Sequence, residues 1–321
     1  MPAVAALIVL VCAATAWADE LRPGFVELRQ RDAAHWSLGW KQPLTTAGEP
    51  RLVVPLIPAN CRIVQGPHQR LAALALIGNA ELTCNGAIAG RSAGYGEVLG
   101  GGDVLLRVAP LAGRVQSYRL TPEQPSVVLA AKPSAWQVWR TYGVLGVTHI
   151  LGGWDHLLFV IALVLLVRRG WAVAKAVTAF TVAHSLTLAG VTLGLVGLPQ
   201  APVEALIALS IVFLAAELLR GGPSVTLRYP WGIAFAFGLV HGFGFAGALK
   251  DIGLPEGEVP AALLAFNLGV EAGQLAVVLG VLGLVAMVAR LARPALAPML
   301  RFAAYGIGVT ASYWLIDRLV V

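Results

Sequence analysis

The stretch His149-Ile150-Leu151-Gly152-Gly153-Trp154-Asp155-His156, running on into Leu157-Leu158-Phe159-Val160-Ile161-Ala162-Leu163-Val164-Leu165-Leu166-Val167, decides how this chain is read. Two histidines and an aspartate stand at the head of an unbroken apolar run. Residues 143–167 together are long enough to cross a hydrocarbon core of about 30 Å at about 1.5 Å per residue. An ionisable side chain at such depth costs on the order of 2.5–3.5 kcal/mol. Groups that persist there pair, line a cavity or bind something.

Five more apolar runs follow, at about 172–194, 203–219, 231–249, 260–289 and 299–316. Pro202 and Pro260 sit at run starts, where a missing amide hydrogen is tolerated. The whole chain is 58% hydrophobic and only 12% charged, against about 25% in soluble domains. The charge is concentrated, because residues 19–135 hold 12 of the 23 basic and 9 of the 17 acidic side chains. Two regions therefore meet two solvents: a domain at 19–135, and a six-helix transmembrane domain at 136–321. The net charge of +6 divides evenly, +3 on each side, so no compact basic patch points to nucleic acid.

At the N-terminus, Ala3 to Ala14 is a short apolar run followed by Ala16-Trp17-Ala18 and Asp19-Glu20. Small residues at 16 and 18 suit signal peptidase, so residues 1–18 read as a signal peptide, with an uncleaved anchor as the alternative. Val11 before Cys12 argues against a lipoprotein. Export would leave Cys61 and Cys84 in an oxidising compartment, where one disulfide is expected; two free thiols or a metal pair is the alternative. Within 21–132, stretches such as Phe25–Arg29, Trp36–Trp40, Arg51–Pro55, Asp103–Val108 and Val127–Ala130 alternate with Gly, Pro and Asn clusters. That pattern predicts a small all-β, sandwich-like domain. His35 and His68 stand alone there and read as surface residues. A linker at Pro133-Ser134 leads to Trp136 and Trp139, which suit a membrane interface.

Orientation follows from the loops. With the β domain periplasmic, cytoplasmic ends hold Arg168, Arg169, Lys175, Arg220, Arg228, Arg290, Arg293 and Arg301, against Lys132, Arg140, Lys250 and Arg318 opposite. The positive-inside rule agrees with the leader. The expectation is a multi-pass protein of the bacterial inner membrane, its N-terminal domain in the periplasm.

Four of the six histidines, His149, His156, His184 and His241, fall in predicted spans, joined by Asp155 and Glu271. By helix rise, His184 and His241 lie roughly 18 Å above their cytoplasmic ends, and Glu271 about 16 Å below the periplasmic end of its span. All six can meet in the middle-to-outer membrane. His149 and His156 are seven apart, on one helix face; Asp155 joins them if Gly152-Gly153 loosens the turn. Asn267, Glu271 and Gln274 make a polar stripe, and Thr181, His184 and Ser185 a patch of their own, so Ser185, Asn267 and Gln274 are the expected supporting residues.

Imidazole and carboxylate suit nickel, cobalt, zinc or iron. No cysteine lies in the spans, and Met287 and Met299 sit near the cytoplasmic side, which disfavours Cu(I). Two ionised carboxylates would neutralise one divalent ion bound by neutral imidazoles. Glu204, at the periplasmic mouth of its span, reads equally as a ligand for an incoming ion or as a helix N-terminal acid. Glu217, three residues before Arg220, reads as half of an ordinary ion pair. The glycines of Gly238-Leu239-Val240-His241-Gly242-Phe243-Gly244 permit close helix packing or, in a bent helix, an ion path.

These residues carry a resemblance. The H-x5-D-H run from His149 to His156 resembles the signature of the HupE/UreJ family of nickel and cobalt permeases. The run His241-Gly242-Phe243-Gly244-Phe245-Ala246 is similar to that family's second His-Gly motif. Phe180-Thr181-Val182-Ala183-His184-Ser185-Leu186-Thr187 and Phe266-Asn267-Leu268-Gly269-Val270-Glu271-Ala272-Gly273-Gln274 look like the branch with a periplasmic domain in front. The resemblance implies that His149, Asp155, His156 and His241 contact the ion during uptake, and that hydrogenase or urease maturation factors, or periplasmic metal-delivery proteins, are partners.

The leading expectation is a secondary permease for Ni²⁺ or Co²⁺, with the ion as substrate. No nucleotide-binding loop appears, which argues against direct ATP coupling. The alternative is an intramembrane zinc-dependent hydrolase built on the same cluster, with Ser185 as an accessory. A third reading is a structural or sensory subunit whose metal only staples helices.

Overall fold

The computed structural model describes residues 24–43, 54–72, 75–96, 103–112, 115–131, 135–252 and 259–320. The expected leader, the Pro133-Ser134 linker and most of the expected strand Arg51–Pro55 lie outside them. The chain divides into two compact units, Leu21–Leu145 with Asp251–Ala265, and Gly146–Lys250 with Phe266–Val321.

In the first unit the strands are β1 (Gly24–Gln30), β2 (His35–Pro43), β3 (Cys61–Ala72), β4 (Ala75–Cys84), β5 (Ser92–Gly94), β6 (Val104–Ala109), β7 (Gln116–Leu120) and β8 (Ser126–Val128). Six form one sheet in the order β3-β4-β2-β1-β6-β7; β5 and β8 form a separate two-stranded ribbon. All sheet pairings are antiparallel except β1 with β6. Alternation decides the faces. Val26 and Leu28 on β1, Trp36, Leu38 and Trp40 on β2 and Leu106 and Val108 on β6 point into one core, shared with Ala93, Tyr95 and Leu129 from around the ribbon. The second layer is thus only a ribbon, and two facing sheets of comparable size are not what the described residues form. The long β3–β4 hairpin was not among the strands anticipated, because β3 is an edge strand exposed over most of its length and carries no apolar alternation. Cys61 and Cys84 face each other in register across that hairpin and form a disulfide. His35 and His68 are exposed, His35 beside Asp32.

The helices are α1 (Ala135–Gly152), α2 (Trp154–Val167), α3 (Gly170–Thr192), α4 (Gln200–Arg220), α5 (Val225–Arg228), α6 (Pro230–Ile252), α7 (Val259–Leu291) and α8 (Arg293–Val320). The first turns of α1 dock on β7, where Gln137 and Thr141 both donate to the Ser117 carbonyl.

Among the described residues three helices, α3, α4 and α7, are long and apolar enough to cross a membrane. The count is four if α1 and α2 form one broken span, rather than the six straight spans expected. Among the described residues, α6 is apolar over Pro230–Ala246, and α8 is the least apolar of the long helices. The expected first span is the largest departure. It is two helices meeting at 71°, because Gly153 leaves the helical conformation at φ −80°, ψ 99°. At its far end α2 stops with Arg168 in the left-handed region, its N–H closing on Val164 O. The second unit's core runs through α2, α3, α4, α6, α7 and α8, with Phe159, Val177, Phe180, Ile211, Leu214, Val278 and Trp314 buried in it.

Candidate metal centre

The break at Gly153 builds the first half of the site. On a straight helix, residues seven apart are separated by about 10 Å along the axis, so a shared face would not bring their rings together. The bend does: the His149 and His156 ring centroids lie 4.6 Å apart, one ring from α1 and the other from α2. Asp155 sits in the first turn of α2, where a carboxylate suits the helix N-terminus. Its Oδ1 accepts the His156 backbone N–H at 2.7 Å and the His156 Nδ1–H at 2.8 Å.

The second half is supplied by α3 and α6. A side chain at Gly242 would put its Cβ 2.6 Å from the His184 carbonyl oxygen, and one at Gly238 would lie 2.4 Å from that of Phe180. The Gly-x-x-x-Gly spacing therefore serves close helix approach, which brings His241 up to His184 and His156. The His156 and His241 centroids are 5.1 Å apart, and His184 lies 6.2 Å from both His149 and His156.

All four imidazoles are buried, His184 and His241 completely. Three are oriented by one nitrogen each. His156 gives Nδ1–H to Asp155, and His184 presents Nδ1 to Asn267 Oδ1 at 3.3 Å. His241 Nε2 lies 3.1 Å from Ser210 Oγ. The single Ser210 hydroxyl proton goes to Ile207 O, so Ser210 accepts from His241. Each remaining nitrogen is a lone pair without a hydrogen-bond partner: His156 Nε2, His184 Nε2 and His241 Nδ1, with both ring nitrogens of His149 also unpartnered. Supporting contacts of this kind fix the tautomer and aim a metal-binding nitrogen.

A buried polar atom left unpaired costs about 1–3 kcal/mol. Five such nitrogens gathered in one place are the donors that a bound cation would use. Phe159, Phe180, Phe245 and Phe266 wall it in, with Phe245 4.1 Å from His149 and Phe159 5.1 Å from His241. Their rings exclude water and strengthen electrostatics inside.

Two groups of three have ligand atoms all within 4.8 Å of one another: His149, His156 and His184, and Asp155, His156 and His241. Glu271 is in neither. Its Oε1 accepts the Thr178 hydroxyl at 2.6 Å, toward the exterior of the α3–α7 seam. Gln274 Oε1 accepts from Thr181, and Ser185 donates to the Thr181 carbonyl, so neither Gln274 nor Ser185 is shown bonded to an imidazole. Asn267 does orient a ligand. Glu204 is ion-paired with Arg318 at 3.3 Å, which gives it a partner on α8. Glu217 accepts the Val225 backbone N–H rather than pairing with Arg220, because α5 returns against α4 there. Ser210 and Phe159 are site residues that the sequence reading passed over. One serine or phenylalanine in an apolar helix carries no signal of its own.

No curated protein and no solved structure matches the chain. A family model described as HupE / UreJ protein matches residues 123–318, well over half of the 321 residues. The match takes in the broken helix pair, all four buried histidines and the helices that carry them, and this chain therefore belongs to the HupE/UreJ family.

Proposed function

We propose that this protein is a secondary permease of the bacterial inner membrane that carries Ni²⁺ or Co²⁺ inward, with the cation held by the buried histidine cluster and its sheet domain in the periplasm. One observation carries the reading. Imidazole nitrogens from four helices, buried and unpartnered, converge beside a carboxylate in an apolar shell. Neutral imidazole with one carboxylate is a borderline donor set that suits nickel and cobalt. Apolar helices of crossing length and the family's association with nickel and cobalt transport support the same reading. The hydrolase reading loses its accessory, since the Ser185 hydroxyl is given to a backbone carbonyl.

Cells expressing the chain, the His156→Ala variant or an empty vector would be incubated with micromolar Ni²⁺ or Co²⁺ and their metal content measured by mass spectrometry. The proposal expects accumulation with the native chain alone. Equal accumulation in all three, with the protein present in the membrane, contradicts it.

A further inference from the structure

Phenylalanines bracket the histidine cluster in two layers. On α6, Phe237, His241 and Phe245 recur at intervals of four, so Phe245 lies about 6 Å further along the axis than His241 and Phe237 about 6 Å behind it. Phe245 stacks on Phe266 of α7, with ring centroids 5.0 Å apart and planes 3° apart. The pair lies against His149, at 4.1 Å from Phe245 and 5.5 Å from Phe266. On the other side of His241, Phe237 meets Phe159 of α2 at 5.9 Å, and Phe159 meets Phe180 of α3 at 5.1 Å. The geometry points to the Phe245–Phe266 pair as the outer gate of the cation path, closing the cluster at one end and parting to admit the ion. This inference rests on the proposed function, whose orientation turns the Phe245 end toward the periplasm.

The two layers are unequally backed. Phe159 and Phe180 belong to the main core of the helical unit, and one turn beyond them Leu163 on α2 and Val177 on α3 are buried in the same core. From Phe159, α2 continues through apolar residues alone to Val167, about 12 Å further on. Among the described residues, that core does not take in Phe245 or Phe266. One residue before Phe245, the Gly244 carbonyl accepts from Gln200 Nε2 at 2.8 Å, so polar groups resume beside the outer pair. Rings stacked this closely leave no width for a hydrated ion, and an apolar constriction shuts a path by excluding water. The pair is held by dispersion and quadrupole contact, with no hydrogen bond to break when it parts. Neither ring offers a lone pair, so the pair governs how fast the ion passes and not how tightly it binds.

A gate that is shut both before and after the ion binds raises the barrier equally in both directions. Removing it speeds association and dissociation by the same factor and leaves affinity in place. The test mixes Co²⁺ with the purified full-length chain in detergent by stopped flow, follows visible absorption, and then withdraws the ion with EDTA; calorimetry gives the affinity. Phe245→Ala is expected to raise both rates by about tenfold or more, a barrier lower by about 1.4 kcal/mol. Its affinity should stay within about threefold of wild type, and Phe237→Ala, on the better-backed layer, should leave both rates within about twofold. Phe245→Leu and Phe237→Leu keep the apolar bulk and repeat the comparison, with smaller changes of the same sign, where truncation to alanine costs the fold. Unchanged rates in the Phe245 variants, equal acceleration in the Phe237 variants, or lost affinity without a matched rise in both rates overturns the gate and leaves the proposed transport standing. A wild type that binds no Co²⁺ overturns both.

Discussion

His149 and His156, seven residues apart in sequence, bring their ring centroids to 4.6 Å because the chain turns through 71° at Gly153 between them. A side chain at Gly153 has no room in this turn. Its Cβ would lie 2.7 Å from the His149 carbonyl oxygen and 3.1 Å from both Asp155 Oδ1 and His156 Nδ1. Gly153→Ala is therefore expected to keep membrane insertion but weaken Co²⁺ binding by on the order of 10- to 100-fold, the range for disturbed support around a metal. Calorimetric titration checks it, and native affinity in the variant would show that the bend does not set the site.

Close approach of α3 and α6 makes a separate prediction about stability. At Gly242 an added methyl meets His184 O at 2.6 Å and Thr187 Oγ1 at 2.8 Å, whereas at Gly280 it meets nothing within 4 Å. Overpacking of this kind costs about 1–3 kcal/mol. Gly242→Ala should lower the midpoint of thermal unfolding in detergent by several degrees, while Gly280→Ala leaves it in place.

Ser210 never touches the proposed ion, yet it decides which nitrogen of His241 is bare. Ser210→Ala frees the imidazole to take the other tautomer or rotate. A change in the visible spectrum of bound Co²⁺ is expected, with the folded fraction by size-exclusion chromatography unaltered. A purely structural serine would move the second readout and spare the first.

Much of this was legible in the sequence, and the exceptions have physical causes. His149, Asp155, His156, His184 and His241 stood out because the bilayer penalises them, and the structure gathers all five. Depth arithmetic placed Glu271 at the same height as the histidines, but height carries no azimuth. At 100° per residue Glu271 is turned about 40° around α7 from Asn267, which reaches His184, and its Oε1 accepts from Thr178 instead. Gly152-Gly153 marked where the helix could loosen, but not that it breaks by 71°, since a Gly-Gly pair is tolerated inside a membrane helix as readily as it breaks one. Ser210 was hidden for the opposite reason: in the run Ala208-Leu209-Ser210-Ile211 it is an ordinary small residue until a histidine from α6 is found against it. In the sheet domain, strands with one buried face showed their alternation, and the exposed edge hairpin did not.

Because Glu271 lies outside both ligand groups, Glu271→Gln should leave Co²⁺ affinity within about threefold of wild type, near the scatter of a surface change of ±0.5 kcal/mol. Loss of binding in this variant would place Glu271 on the ion and rule out the arrangement described.

Transport itself is tested most directly with the purified chain in proteoliposomes. Radioactive Ni²⁺ would be offered outside under an imposed pH gradient, and the wild type compared with His156→Ala. Time-dependent accumulation by wild-type vesicles, abolished in the variant, is the predicted result. Tight binding of Ni²⁺ by both the detergent-purified and reconstituted wild type with no entry into the vesicles would contradict a permease and leave a metal site without transport.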